Sequence, residues 1–338
     1  MKKLRAEGLV LGLSLAVVTI LLLVLAFGCS ATASPIPTAT TTPSPSATAT
    51  ATPSPVPTAT PIPPRNVVLI GWDAAERSQV RESLSQGRLP ALQRLSSEGT
   101  IVAIDVIRTT DTASGWTQIL TGYEPEVTGV FANDRTNSIP KGYTVFERLE
   151  QYFGPQNFVT VAVISKKGNM ESDPGKPYYY TKDSMDVFIN GLEEDDNVVS
   201  KTLELLGQYK DKPFFFFVHF AAVDNAGHQY AEGSQQYKDA FVSYDTHTGM
   251  IVQKLKELNL YDRTLVYVTA DHGFDVGQKN HHDAPYVFLA TNDPLVMRRG
   301  LREDIAPTIL DRFGLDLSKI NPPLDGHPLT KPYQLPLW

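Results

Sequence analysis

Cysteine is almost missing from this chain: Cys29 is the only one in 338 residues. No intrachain disulfide can form, and no cysteine-based zinc site can exist. Any bound cation must therefore be held by histidine and carboxylate. Positive charge is also short, with 30 Lys and Arg against 37 Asp and Glu and a net charge of −7. The first 64 residues hold only Lys2, Lys3, Arg5 and Glu7 as charged groups, which leaves the acidic excess to the rest of the chain. An acidic body lacks the clustered cations that phosphate-backbone affinity requires, so no stable nucleic-acid binding is expected.

Lys2, Lys3 and Arg5 precede an uncharged apolar stretch from Gly8 to Phe27. This is the pattern of an export signal, and the stretch is long enough to span a bilayer. Ala26-Phe27-Gly28-Cys29 resembles a bacterial lipobox, although Phe27 is bulky where small residues are usual. Residues 1–29 are thus expected to be a signal peptide or membrane anchor, with Cys29 lipidated or the anchor left uncleaved. The positive charges on the inner side agree. Residues 30–64 are almost entirely Pro, Thr, Ala and Ser, with no charge and no aromatic. Such a segment cannot bury enough surface to fold, and as polyproline II it would reach on the order of 100 Å. It reads as a stalk holding an extracytoplasmic domain, residues 65–338, at a membrane.

In that domain, Asn66–Trp72 is a continuous apolar run ending in Asp73, as for a strand buried on both faces. Similar runs occupy Phe158–Ile164, Pro213–Val223, Thr264–Ala270 and Tyr286–Ala290. Segments of helical period lie between them, at Leu89–Leu95, Thr144–Phe153, Asn197–Tyr209 and Gln235–Leu258. The alternation predicts an α/β fold, a three-layer sandwich with a mostly parallel central sheet. Ligands in such sheets sit beyond the carboxyl ends of the strands. Asp73, Asp224 and Asp271-His272 all follow apolar runs there.

Five short motifs carry chemistry. Asp73 follows the first strand, a position where helix-capping aspartates are also common. Thr112, in Thr112-Ala113-Ser114-Gly115-Trp116, opens a helix whose N–H groups and dipole favour an incoming phosphate; an ordinary capping role is the bland alternative. Asp224 and His228 are spaced to share one cation from one helical turn. Asp271-His272-Gly273 is more restrictive, with the glycine expected to free the backbone so that both neighbours aim at one ion. Asn280-His281-His282-Asp283 precedes the strand starting at Tyr286, and four of the chain's seven histidines fall in these motifs. Trp116 and Tyr123 read as core residues before they read as stacking platforms.

Together these motifs resemble the alkaline phosphatase superfamily, in particular its type I phosphodiesterase/nucleotide pyrophosphatase branch. The resemblance covers roughly residues 65–335. Leu89-Pro90-Ala91-Leu92, Asp304–Leu310 and Gly326 with Pro328-Leu329 support it. It implies two divalent ions, zinc by preference and manganese as the alternative. One would be held by Asp73, Asp271 and His272 with Thr112 alongside. The other would be held by Asp224, His228 and one of the pair His281-His282, with His281 favoured because it lies four residues before Pro285. Asn133 would help hold the phosphoryl oxygens. Gly115 departs from the asparagine found at that position in many nucleotide pyrophosphatases, and Thr128 from a familiar histidine, which puts nucleotide specificity in doubt. Sulfatases share the fold but need Cys or Ser followed by Pro and Arg where this chain has Thr112 and its neighbours.

The implied activity is hydrolysis of a small-molecule phosphate ester or nucleotide through a phospho-threonine intermediate. A coordinated threonine oxygen needs no general-base histidine. A phosphomonoesterase, a phosphonate hydrolase or a phosphoglycan-type transferase on the same site are alternatives, and a catalytically silent stalked binding domain is the non-enzyme one. Asn133–Tyr143 and the Lys- and Tyr-rich Lys166–Asp183 are the expected specificity loops.

Overall fold

The computed structural model describes residues 65–334. The expected signal or anchor with Cys29 and the expected stalk lie outside the described residues. Among the described residues no helix is long and apolar enough to cross a membrane.

Eight strands form one sheet: β1 (Asn66–Trp72), β2 (Thr100–Asp105), β3 (Val159–Ile164), β4 (Val187–Asn190), β5 (Phe214–Phe220), β6 (Thr264–Thr269), β7 (Tyr286–Thr291) and β8 (Gly300–Leu301). Their order is β4-β3-β5-β1-β6-β7-β2-β8. Strands β4, β3, β5, β1 and β6 are parallel neighbours, whereas β7 runs antiparallel to both β6 and β2. Every residue of β1, β3, β5 and β6 is buried, so both faces of the parallel block are covered. That is why these strands stand out as unbroken apolar runs. β2 and β4 are half-exposed and β8 has two residues, so none of the three leaves such a run.

The helices are α1 (Arg77–Ser85), α2 (Pro90–Glu98), α3 (Thr112–Thr121), α4 (Pro125–Thr128), α5 (Val145–Phe153), α6 (Asp195–Gln208), α7 (Ala222–Tyr230), α8 (Gln235–Glu257) and α9 (Ile305–Arg312). α1, α2, α6 and α7 all pack on the long α8, while α9 packs on both α3 and α5. With the sheet between them, the two groups complete the three-layer α/β sandwich. The helix boundaries have local causes. Thr144 and Glu147 form a capping box at the start of α5. The run Pro213–Val223 predicts a longer strand than β5, and the difference lies at Asp195. Its buried carboxylate accepts hydrogen bonds from the N–H groups of Ala221 (2.9 Å) and Ala222 (3.0 Å) and turns the chain into α7.

Leu89-Pro90-Ala91-Leu92 has an analogous role. Pro90 occupies the first turn of α2, where its missing N–H costs nothing. The next two N–H groups, of Ala91 and Leu92, donate to the carboxylate of Asp245 on α8, at 3.0 and 2.8 Å. Asp245 is 2% exposed, so removing it strands two buried donors. Asp245→Ala is expected to lower stability by about 2–4 kcal/mol, read as the shift in urea midpoint at unchanged slope.

Candidate active site

Four adjacent parallel strands, in the order β3-β5-β1-β6, deliver side chains to one edge of the sheet. Asp73 follows β1 directly. Asp271 and His272 follow β6 after Ala270, Asp224 and His228 lie on α7 beyond β5, and Lys166 and Asn169 follow β3. Thr112 arrives at the start of α3, with Asp111 before it as the capping residue, and His281 arrives from the β6–β7 loop. Ala74, next to Asp73, takes a positive φ of 62°, a conformation that costs a non-glycine residue about 1 kcal/mol or more. Its N–H reaches Asp271 Oδ1 at 3.2 Å, so the strained turn ties the two carboxylates together.

The three aspartates are almost fully buried, and each has one oxygen held by donors and one left bare. Asp73 Oδ2 is held by Asn169 Nδ2 (2.5 Å) and faces His219 Nε2 (3.2 Å). Asp271 Oδ1 takes the Ala74 N–H, and Asp224 Oδ2 takes the Lys166 ammonium at 2.7 Å. Asp73 Oδ1, Asp271 Oδ2 and Asp224 Oδ1 are buried and accept no hydrogen bond. Leaving one anionic oxygen bare in a dry site is costly, and three together suit a cation as their common partner.

The histidines are oriented to match. His272 Nδ1 lies 2.9 Å from the Gly273 carbonyl, which accepts its proton and turns the Nε2 lone pair inward. That Nε2 is 3.1 Å from Thr112 Oγ1 and 3.5 Å from both Asp73 Oδ1 and Asp271 Oδ2. His228 Nδ1 likewise faces the Lys279 carbonyl at 2.9 Å, leaving Nε2 against Asp224 Oδ1 at 3.3 Å. His281 stacks on His272 with centroids 3.9 Å apart. Burial, and then the neighbouring His272, push its imidazole down to about 4, so it is a neutral donor at ordinary pH.

Charge within the cluster is correspondingly frustrated. Burial and then the Asp73 charge raise the Asp271 carboxyl well above the usual carboxylate range. Burial also opposes charge on Asp224, but His228 and Lys166 outweigh it and leave that carboxyl below the usual range. Asp73, Asp271 and His272 offer ligand atoms within 4.8 Å of one another, and so do Asp224, His272 and His281. Mixed carboxylate and imidazole donors without sulfur suit zinc or manganese better than calcium. A cavity of about 240 Å³ opens beside Thr112, walled by Ala113, Asn133, Lys166, Asn169 and Glu171. Asn133 Oδ1 accepts the Ala113 N–H at 2.9 Å, which leaves its NH2 group as a donor.

The profile of the type I phosphodiesterase/nucleotide pyrophosphatase family matches residues 67–306. The chain belongs to this family. It is similar to the human ectonucleotide pyrophosphatase/phosphodiesterase family member 1, 27% identical over 202 residues, which are 56% of this chain and 22% of that protein. It is also similar to a bis(5'-adenosyl)-triphosphatase of Pongo abelii, 24% identical over 63% of this chain and 48% of that protein. The match therefore spans less than half the length of either relative. Among solved structures, a protein in the alkaline phosphatase superfamily from Vibrio parahaemolyticus shares the fold, with a TM-score of 0.57 at 21% identity over 80% of this chain and 71% of that one.

The structure brings together Asp73, Thr112, Asp224, His228, Asp271, His272 and His281 and sets Asn133 at the cavity. His282 is exposed, with its N–H on Asp275. Trp116 and Tyr123 are core residues. Asp224 sits in the first turn of α7, four residues before His228, as their helical spacing implied. One expectation needs correction. Gly273 is not in a glycine-specific conformation; a Cβ there would lie 2.4 Å from Glu76 Cγ, so close packing excludes a side chain. Sequence reasoning missed His219, Asn169 and Arg302. His219 lies inside an apolar strand run, and Asn169 lies in a loop whose path no pattern reveals. Arg302 is fully buried, with Nη1 2.7 Å from the Asp271 carbonyl.

Arg302 also explains Gly115. A Cβ on Gly115 would lie 2.8 Å from Arg302 Nη1 and 2.8 Å from Asp271 Cβ, so an asparagine cannot be accommodated as the chain stands. Gly115→Ala is expected to cost about 1–3 kcal/mol and to lower metal affinity by displacing Asp271, checked by urea unfolding in chelator and by zinc titration. A second prediction concerns pH. A base whose folded pKa is depressed binds fewer protons folded than unfolded, so stability must fall as pH drops through the window between them. In chelator, His281 is expected to contribute such a loss between about 6.5 and about 4. His281→Gln should flatten the stability–pH slope in that window, read from urea midpoints.

Proposed function

We propose that this protein hydrolyses phosphoric esters, as a phosphodiesterase or nucleotide pyrophosphatase, with Thr112 as nucleophile and two divalent ions, zinc by preference. The observation that carries the reading is the set of three bare, buried aspartate oxygens gathered with inward-facing imidazole nitrogens around the Thr112 hydroxyl. Asp73, Asp271 and His272 would hold one ion beside Thr112. Asp224, His228 and His281 would hold the other, with the Nε2 of His272 near enough to matter to both. When bound, such ions act as Lewis acids that lower the pKa of a coordinated hydroxyl and screen phosphoryl charge.

The chain's own groups account for the rest. Thr112 Oγ1 passes its proton to solvent and forms a bond to phosphorus while the bond to the ester oxygen breaks, and the alcohol or phosphate leaving group departs with that electron pair and takes up a proton from solvent. Water then forms a bond to phosphorus, Oγ1 leaves with its electron pair, and a proton from that water restores the threonine hydroxyl. Asn133 donates to a non-bridging oxygen, and the N-terminus of α3 presents its dipole to the same negative charge. The buried aspartates and histidines are already oriented, so little reorganisation accompanies reaction.

A phosphomonoesterase is the second reading. The Lys166 ammonium on the cavity wall would favour the additional negative charge of a monoester. A silent binding domain is disfavoured by the complete donor set. The basic and apolar leader and the Pro/Thr-rich segment support a location outside the cytoplasm, tethered at the membrane through a lipidated Cys29 or an uncleaved anchor.

Residues 65–338 with zinc should cleave bis-(p-nitrophenyl) phosphate and lose that activity in chelator. Thr112→Ala should lose at least about 10³-fold in kcat while still binding zinc. Full activity in that variant would remove Thr112 from the reaction. Faster turnover of p-nitrophenyl phosphate than of the diester would decide for the monoesterase.

A further inference from the structure

We propose that Asn169 is a positioning residue for Asp73, so that one short segment both walls the substrate cavity and sets the orientation of a cation ligand. The inference rests on the metal-dependent reading above. Asn169 is 5% exposed and lies in the turn Lys167–Met170 that follows β3. Its Nδ2 is 2.5 Å from Asp73 Oδ2 and 2.8 Å from His219 Nε2.

A carboxylate oxygen can only accept, so the Asn169 amide donates to Asp73 Oδ2. His219 Nε2 lies against both groups, 2.8 Å from the amide nitrogen and 3.2 Å from Asp73 Oδ2, so imidazole, amide and carboxylate form one mutual cluster. His219 is fully buried on β5, with the ring of Trp116 edge-on at 5.2 Å, and cannot turn away. A rigid imidazole thus holds the amide, and the amide holds the carboxylate.

The consequence lies at the opposite oxygen. With Oδ2 held, Asp73 can only present Oδ1, the atom that faces His272 Nε2 at 3.5 Å. Free rotation of the carboxylate would let either oxygen, or both, approach a cation. Groups that hold a ligand's other atom typically raise metal affinity 10- to 100-fold. Asn169 is also a wall of the cavity beside Thr112, as is Lys166, which holds Asp224 Oδ2 in the same manner. Displacement of this wall by a substrate is thereby transmitted to a cation ligand without any contact to the ion.

The test measures zinc binding to residues 65–338 by competition with a chromophoric chelator. Asn169→Ala should weaken one of two bound ions by about 10-fold or more, with kcat falling and KM little changed, and with the melting temperature in chelator within a few degrees of the parent. His219→Leu should weaken the same ion, whereas His219→Gln, which keeps an acceptor for the amide, should not. An Asn169→Ala protein that holds both ions within about threefold of the parent affinity overturns the proposal. Asp73→Asn separates the two levels. If it loses one ion while Asn169→Ala loses none, only the positioning role fails. If the parent binds neither zinc nor manganese, the metal-dependent reading fails and this inference with it.

Discussion

The structure depends on an electrostatic conflict that the protein alone does not resolve. Asp73, Asp224 and Asp271 are buried side by side, and the donors around them satisfy only one oxygen of each. Like charges this close in a dry site are expected either to be neutralised by protons or to be bridged by a cation. Burial and the Asp73 charge already drive the Asp271 carboxyl toward its protonated form. The inward nitrogen of His272 cannot relieve the conflict between Asp73 and Asp271, since the Gly273 carbonyl claims its ring proton on the other side. Dications at these positions would answer every one of these frustrated groups at once.

The surrounding fold follows from the need to hold such a cluster still. Four parallel strands end at one edge and aim side chains or their supporting turns at it. Three of these turns are locked by buried polar groups: Asp195 under the first turn of α7, the Ala74 N–H on Asp271, and Arg302 on the Asp271 carbonyl. These are backbone-directed hydrogen bonds, which fix where a chain goes and not merely which side chains touch. The left-handed Ala74 places local strain at this edge for that purpose.

Four strands of the parallel block could be read in the sequence, and with them the places of most candidate site residues, whose roles came from the family resemblance. A strand buried on both faces must be apolar throughout, so the ionisable residues just beyond it stand out. Asp73, Asp271 and His272 were visible by that contrast, and Asp224 and His228 by their helical spacing after the Phe-rich run. β2, β4 and β8 were not, because half-exposed or very short strands carry no continuous run. His219 was hidden by the opposite effect. It is a polar residue in the middle of an apolar strand, where its neighbours describe burial and nothing describes its partner.

Asn169, His219 and Arg302 share a property that makes them hard to read. Each acts on a ligand's far oxygen or on its backbone, so no spacing rule links them to the residue they serve. What betrays them is a shortage of partners: His219 Nδ1 and Arg302 Nε stay unpaired although both residues are fully buried. An unpaired buried polar group costs about 1–3 kcal/mol, and a core of ordinary purpose would have an apolar residue in its place. That this chain retains both, each one bond away from an aspartate of the cluster, argues that the orientation of the carboxylates is worth more to it than the stability lost in holding them.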